Sequence, residues 1–121
     1  MTASWSVDEL RRLDAARELE IAVARSDGGL GRWVVIWVVC AGGHPYVRTW
    51  YRRDTGWFGQ ALRTGRGRIR VPGLEAEVLI EDVGGEVTAE VDAAYLAKYG
   101  GAGSMVTTEA AATTLRLEKA D

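Results

Sequence analysis

Residues 33–58, WVVIWVVCAGGHPYVRTWYRRDTGWF, join an unbroken apolar run to a segment that interleaves arginines with large aromatics. The run 33–40 is β-branched and aromatic without alternation, the composition of a central strand covered on both faces. Gly42, Gly43 and the His44-Pro45 pair turn the chain, and 46–51 forms the next strand. Alternation places Tyr46, Arg48 and Trp50 on one face of it and Val47, Thr49 and Tyr51 on the other.

Upstream, Ser6 with Glu9 three residues on is a capping-box signature, and Val7, Leu10, Leu13 and Ala16 have helical spacing, so a helix is expected over 7–16. From Glu18 the period changes to two, with Leu19, Ile21 and Val23 on the buried face of a strand that the Ser26–Gly29 cluster ends. Downstream, Trp57, Ala61 and Leu62 fit a short helix stopped at Gly65. Arg66, Arg68 and Arg70 then alternate with Gly67, Ile69 and Val71 along a strand that Pro72-Gly73 turns into a partner over 75–82. Val87, Val91, Ala94, Tyr95 and Lys98 share a helical stripe over 86–99, ended by Gly100-Gly101. A last strand near 112–118 buries Leu115 and Leu117. Short connections favour antiparallel pairing, and six strands with helices between them describe one small α+β barrel domain spanning 1–121.

Composition narrows the function. The chain has 121 residues, an apolar fraction of 47% and 26% charged residues, ordinary values for a soluble domain. No apolar stretch is long enough to span a membrane, and the polar, acidic start is unlike a secretory signal, so a cytoplasmic location and no membrane partner are expected. Cys40 is the single cysteine, which leaves no disulfide framework within one chain; with a lone histidine, no metal site is expected. Net charge is −2, yet residues 44–73 hold seven arginines against Asp54, and residues 74–99 hold seven acids against Lys98. A nucleic-acid binder is more often basic overall, so the local basic segment reads as a site for a small anionic ligand or an acidic patch, with no nucleic acid.

The planar guanidinium forks of Arg48, Arg52 and Arg53 suit phosphate or carboxylate. Arg48 stands between Tyr46 and Trp50, where a guanidinium is expensive to bury alone, and it needs either an anion or a carboxylate such as Glu77 or Glu81. Trp50 and Trp57 are stacking platforms or packing residues, whereas Trp33 and Trp37 belong to the core. The acids opposite Arg66, Arg68 and Arg70 make cross-strand ion pairs, and Glu86, Glu90 and Asp92 read as a solvated helix face. Cys40 and His44, four apart across a glycine turn, lack a positioned acid and make a poor nucleophile–base pair.

IWVV (36–39), YVRTW (46–50), GWF (56–58), GRIRV (67–71), DAAYLAKYG (92–100) and TTLRL (113–117) resemble a family of small bacterial proteins grouped as a domain of unknown function, along nearly the whole chain. More distantly, the block from Tyr46 to Val71 resembles deazaflavin-dependent nitroreductases and pyridoxamine phosphate oxidase-like split barrels. That resemblance implies a mostly antiparallel split β-barrel with flanking helices and a homodimer. It also implies a flavin mononucleotide (FMN) or deazaflavin coenzyme whose phosphate lies at Arg48, Thr49, Arg52 and Arg53, with Trp50 and Trp57 at the ring and Lys98 reaching in from the last helix. The nitroreductases usually carry a small polar residue, a lysine and glycines in that loop, where this chain has Thr49 to Arg53. The activity implied is flavin- or deazaflavin-dependent oxidoreduction of a small organic substrate. The alternatives are a non-redox small-ligand binding domain and a cofactor-independent cyclase or isomerase using Tyr46, Tyr51 or Lys98.

Overall fold

A computed structural model describes residues 2–49, 56–83, 87–100 and 112–120. Its strands are β1 (Thr2–Ala3), β2 (Leu19–Val23), β3 (Val34–Ile36), β4 (Val38–Ala41), β5 (His44–Val47), β6 (Arg66–Val71), β7 (Leu74–Asp82) and β8 (Leu115–Ala120). Its helices are α1 (Val7–Ala15), α2 (Gly56–Thr64) and α3 (Thr88–Tyr99). All strand pairings are antiparallel and follow the path β3-β2-β6-β7-β8-β5-β4, with β1 added to β8.

The two ends of that path, β3 and β4, are one stretch of chain interrupted at Trp37. Ile36 pairs with Leu19 of β2, whereas Val38 pairs with Val47 of β5. One residue therefore carries the chain from one end of the sheet to the other, curling the seven-strand path into a split barrel. The expected single central strand over 33–40 is corrected to two short end strands, and the expected six strands become eight among the described residues. Periodicity reports which faces are covered and says nothing of which neighbour each half pairs with. Trp37 itself turns out of the strand line to stack on Tyr99 of α3, with centroids 4.2 Å apart and planes 7° from parallel. It packs at the margin of a second cluster rather than in the main core.

The covered-on-both-faces reading holds for β4 and fails for β3. Val38 and Val47 enter the barrel core with Leu19, Ile21, Ile69 and Leu117, while Val39 and Tyr46 face Val91 and Tyr95 of α3. Val35 on β3 is 54% exposed. Inside the barrel α1 contributes Leu13, and α2 contributes Phe58 and Ala61.

Local signals set the elements. The capping box is present: Ser6 Oγ accepts from Glu9 N at 3.1 Å, and Glu9 Oε1 accepts from Ser6 N at 2.8 Å. The β4–β5 turn is two residues, Gly42 and Gly43, with φ of 58° and 84°, the left-handed pair that a tight hairpin needs. His44 and Pro45 lie in β5 rather than in the turn, because two glycines complete the reversal. The Pro72-Gly73 hairpin joins β6 to β7 in the expected register, Arg68 opposite Glu77 and Arg70 opposite Glu75. Trp5 Nε1 donates to Leu117 O at 3.0 Å and fixes the chain ahead of α1 against β8.

Candidate functional site

Arg48 and Thr49 continue β5 beyond Val47, and alternation turns the Arg48 side chain, like Tyr46, toward α3. Arg48 is fully buried, at 0% exposure. Its Nη1 donates to Asp92 Oδ1 at 2.5 Å and its Nε to Thr114 Oγ1 at 2.8 Å. The guanidinium carbon lies 5.5 Å from the centroid of the Tyr95 ring, within cation–π range. Thr49 is held by an equally specific device: Thr113 Oγ1 accepts from Thr49 N at 3.0 Å and donates to Thr49 O at 2.9 Å. A single hydroxyl thus satisfies both polar groups of the Thr49 backbone.

The need for a partner at Arg48 is met by a carboxylate, though neither of those expected. Glu77 and Glu81 lie on the outer face of the sheet, where they meet Arg68 at 3.2 Å and Arg116 at 2.8 Å. Asp92, expected on a solvated face, has a side chain only 28% exposed and supplies the ion pair. Asp92, Thr113 and Thr114 escaped sequence reasoning. The available signal was Asp92 beside Val91 at the margin of the apolar stripe of α3, three residues before Tyr95, whose ring meets the same guanidinium.

Trp50, Arg52 and Arg53 lie outside the described residues. Trp57, the second residue of α2, is half-buried and meets Phe58 edge-on at 5.7 Å. The first turn of α2 carries no acid, so its partial positive charge is not offset there. Lys98, in the last turn of α3, donates to Val38 O at 2.7 Å and Leu13 O at 3.3 Å. Desolvation lowers its pKa. Its ammonium joins α3 to the last turn of α1 and to β4, so the structure does not bring it to the Arg48 cluster. Tyr95 is buried, with its hydroxyl 3.4 Å from Trp37 O, and burial pushes its pKa up.

Cys40 and His44 are separated by register. Ala41 pairs with His44, so these two share a sheet face and Cys40 occupies the opposite one. The thiol packs against the core beside Leu10 O, and burial pushes its pKa up to about 11. His44 Nδ1 lies 3.9 Å from Glu118.

On the outer face of β2, β6 and β7, Arg68 and Arg70 are paired across strands as expected, whereas Arg66 stands opposite Leu79 rather than an acid. Arg68 meets Glu75 at 2.6 Å, and Arg70 meets Glu20 at 2.9 Å while lying 3.9 Å over the Trp33 ring. Two open grooves flank this ladder. One of about 630 Å³ is bordered by Val35, Glu18, Glu20, Arg70 and Leu74. The other, of about 510 Å³, is bordered by Arg25, Ser26, Thr64, Arg66 and Arg68.

Among the described residues no group of three metal-ligating side chains converges, and no helix is long and apolar enough to cross a membrane. Residues 9–117 match the family described as "uncharacterized protein conserved in bacteria", DUF2255, and the chain belongs to it. No curated protein matches the chain. Among solved structures it is similar to a conserved hypothetical protein of Mycobacterium tuberculosis, with 13% identity, TM-score 0.67, and coverage of 97% of this chain and 80% of that one. It is similar to an F420 reductase, with 14% identity, TM-score 0.59, and coverage of 91% and 90%. It is also similar to an FAD-binding protein of Mesorhizobium loti, with 14% identity, TM-score 0.60, and coverage of 98% and 91%. At these identities the likeness establishes the split-barrel fold.

Proposed function

We propose that this DUF2255 protein binds a flavin-type cofactor, FMN or the deazaflavin coenzyme, at the exit of β5, and uses it to reduce a small organic substrate by two electrons. The observation that carries the reading is the first turn of α2, which lacks any carboxylate and follows Arg52 and Arg53 closely in sequence. Basic side chains and a helix N-terminus together suit a phosphate. Likeness to an F420 reductase and an FAD-binding protein supports the cofactor class.

The cofactor, when bound, supplies the hydride chemistry. The chain's part is to bind and orient it. Arg52 and Arg53 hold the phosphate, and Trp50 and Trp57 contact the ring. Thr49 fixes the strand end from which the connection departs, through its two bonds to Thr113. Lys98 seats α3 against α1 and β4. Asp92 and Thr114 take Nη1 and Nε of Arg48, so this reading gives the phosphate to Arg52 and Arg53. A homodimer with the site between subunits is part of this reading, and sedimentation velocity tests it.

The direct experiment is a titration with FMN and with the deazaflavin coenzyme, followed by quenching of tryptophan fluorescence. Saturable quenching by either supports cofactor binding, and substrate-dependent reoxidation of the reduced, bound cofactor then supports the reductase. Absence of saturable quenching by both removes the redox reading. A second reading, a non-redox small-ligand domain, is favoured by one observation: the best-placed guanidinium of the segment is tied to an internal carboxylate.

A further inference from the structure

We infer that the free edge of β3 is a strand-addition surface whose occupant is a second copy of this chain, paired antiparallel about a twofold axis at Val35. The inference gives the proposed homodimer an interface and rests on that part of the proposed function alone. Cofactor binding is not among its premises.

The register decides which way β3 faces. Ala24 N donates to Arg66 O at 2.8 Å, so Ala24, and by alternation Ala22 and Glu20, bond toward β6. Leu19 and Ile21 are left to bond toward β3, where Ile36 and Val34 stand opposite them. Val35, opposite Glu20, therefore aims its N–H and C=O away from β2, along the open end of the sheet path. Among the described residues nothing accepts from that N–H or donates to that carbonyl.

The other end of the path has a closed edge. The two-residue turn at Gly42 and Gly43 makes Ala41 and His44 a bonded pair, so Val39 also bonds toward β5 while Val38 faces outward. Tyr99 Oη accepts from Val38 N at 3.2 Å, and Val38 O accepts from Lys98 Nζ at 2.7 Å. Side chains of α3 thus occupy the groups that a further strand would need. On β3 those groups have no such cover, and the Val35 side chain is 54% exposed.

Edge strands are ordinarily guarded by charges, proline or an irregular backbone. Trp33 to Ile36 carries neither charge nor proline. An extra residue between the Ala24–Leu30 bridge and the Ile21–Val34 pair lies ahead of the strand and limits its length. A three-residue edge with its outward residue at the centre is its own complement. In antiparallel pairing about Val35, each copy's Val35 N–H meets the other's Val35 C=O, and the two Val35 side chains meet on the outer face. Val34 of each copy stands opposite Ile36 of the other, so apolar groups meet apolar groups and no like charges are brought together. An extended peptide from another protein gains affinity from a long edge, whereas a twofold partner brings the same short apolar patch twice. Such an interface lies at the small end of the range, where association is transient.

Sedimentation equilibrium from about 1 to about 500 µM, the span in which a weak dimer is read, tests the pairing in wild type, Val35→Pro, Val35→Lys and Val35→Thr. A melting curve accompanies each, and hydrogen exchange is followed at the Val35 amide. Proline at 35 removes the outward N–H without taking a bond from β2, and lysine places like charges at the axis. Wild type and Val35→Thr, which keeps the branched shape, are expected to dimerise alike, with Val35 amide protection rising with concentration. Val35→Pro and Val35→Lys are expected to weaken association on the order of tenfold or more. Wild type that stays monomeric across the range overturns the inference and the homodimer together. A dimer that persists unchanged in either folded variant overturns the inference and leaves a homodimer through another surface. If Val35→Pro does not fold, Val35→Lys decides in the same way. The flavin titration is read separately, and its failure removes the cofactor without touching the interface.

Discussion

At Gly67 the backbone of β2 leaves no room for a Cβ, and Gly67→Ala tests that close approach. Gly67 lies in β6 opposite Val23 of β2 and Val78 of β7. A Cβ added there would sit 2.8 Å from Ala22 O, 3.3 Å from Val23 Cα and 3.3 Å from Ile80 Cδ1. The first contact is shorter than carbon and a carbonyl oxygen tolerate, and the carbonyl belongs to backbone, so β2 must move by a few tenths of an ångström. Overpacking of this kind costs about 1–3 kcal/mol. The backbone at Gly67 is not left-handed, so alanine adds no torsional strain and recovers roughly 0.4–1 kcal/mol through the unfolded chain. The net expectation is about 1–2 kcal/mol of destabilisation, or a fall in Tm of roughly 4–8 °C for a domain of this size. Urea denaturation with matched melting curves measures it. Ile80→Val in the Gly67→Ala background should not rescue stability, because the obstruction is Ala22 O. A Gly67→Ala protein as stable as wild type, or rescue by Ile80→Val, refutes the reasoning.

Lys98→Met should cost about 1–2 kcal/mol through loss of charge-assisted bonds, with Val38 O still accepting from Tyr99 Oη at 2.9 Å. Burial lowers the Lys98 pKa below its ordinary 10.5. Between the two values the unfolded chain binds more protons, so stability rises with pH across that window, and this rise should vanish in Lys98→Met urea titrations. Tyr95 and Tyr99 are pushed above their ordinary 10.0, mainly by burial, so above pH 10 the folded chain holds more protons and stability falls. Cys40, with its pKa at about 11 against an ordinary 9.0, should react with iodoacetamide at pH 8 about a hundredfold more slowly folded than unfolded; equal rates would show the thiol to be open. Arg70→Ala should cost less than about 1 kcal/mol, since both partners of its ion pair with Glu20 are about 40% exposed. A larger loss in chemical denaturation would mean that the Trp33 stack is a core contact.

Much of the fold was legible because its signals are local. The capping box at Ser6 and Glu9, the Gly42-Gly43 reversal and the Arg66–Val71 alternation each depend on residues a few positions apart. The break at Trp37 was not legible, because two half-strands with the same composition pair with strands at opposite ends of the sheet. That choice is made by β2 and β5 and leaves no trace in the periodicity of 33–40. β1 was missed because two residues paired to β8 carry no pattern. At the candidate site, the burial of Arg48 and its need for a counter-charge followed from the aromatics flanking it. The identity of that charge did not, since Asp92 lies 44 residues away on a helix whose packing angle the sequence does not state.

The position of β8 also governs the order in which this barrel can be assembled. Residues 19–36 with 66–82 can build β3-β2-β6-β7, and residues 38–47 can build the β4–β5 hairpin, without help from the C-terminal strand. Among the described residues, only β8 pairs with both β7 and β5. During synthesis the sheet therefore stays open, with the inner edges of β7 and β5 unpaired, until the last strand emerges. Closure is a long-range step, of the kind that is slow relative to local hairpin formation. The nascent chain passes through an interval in which two strand edges are available to a wrong partner.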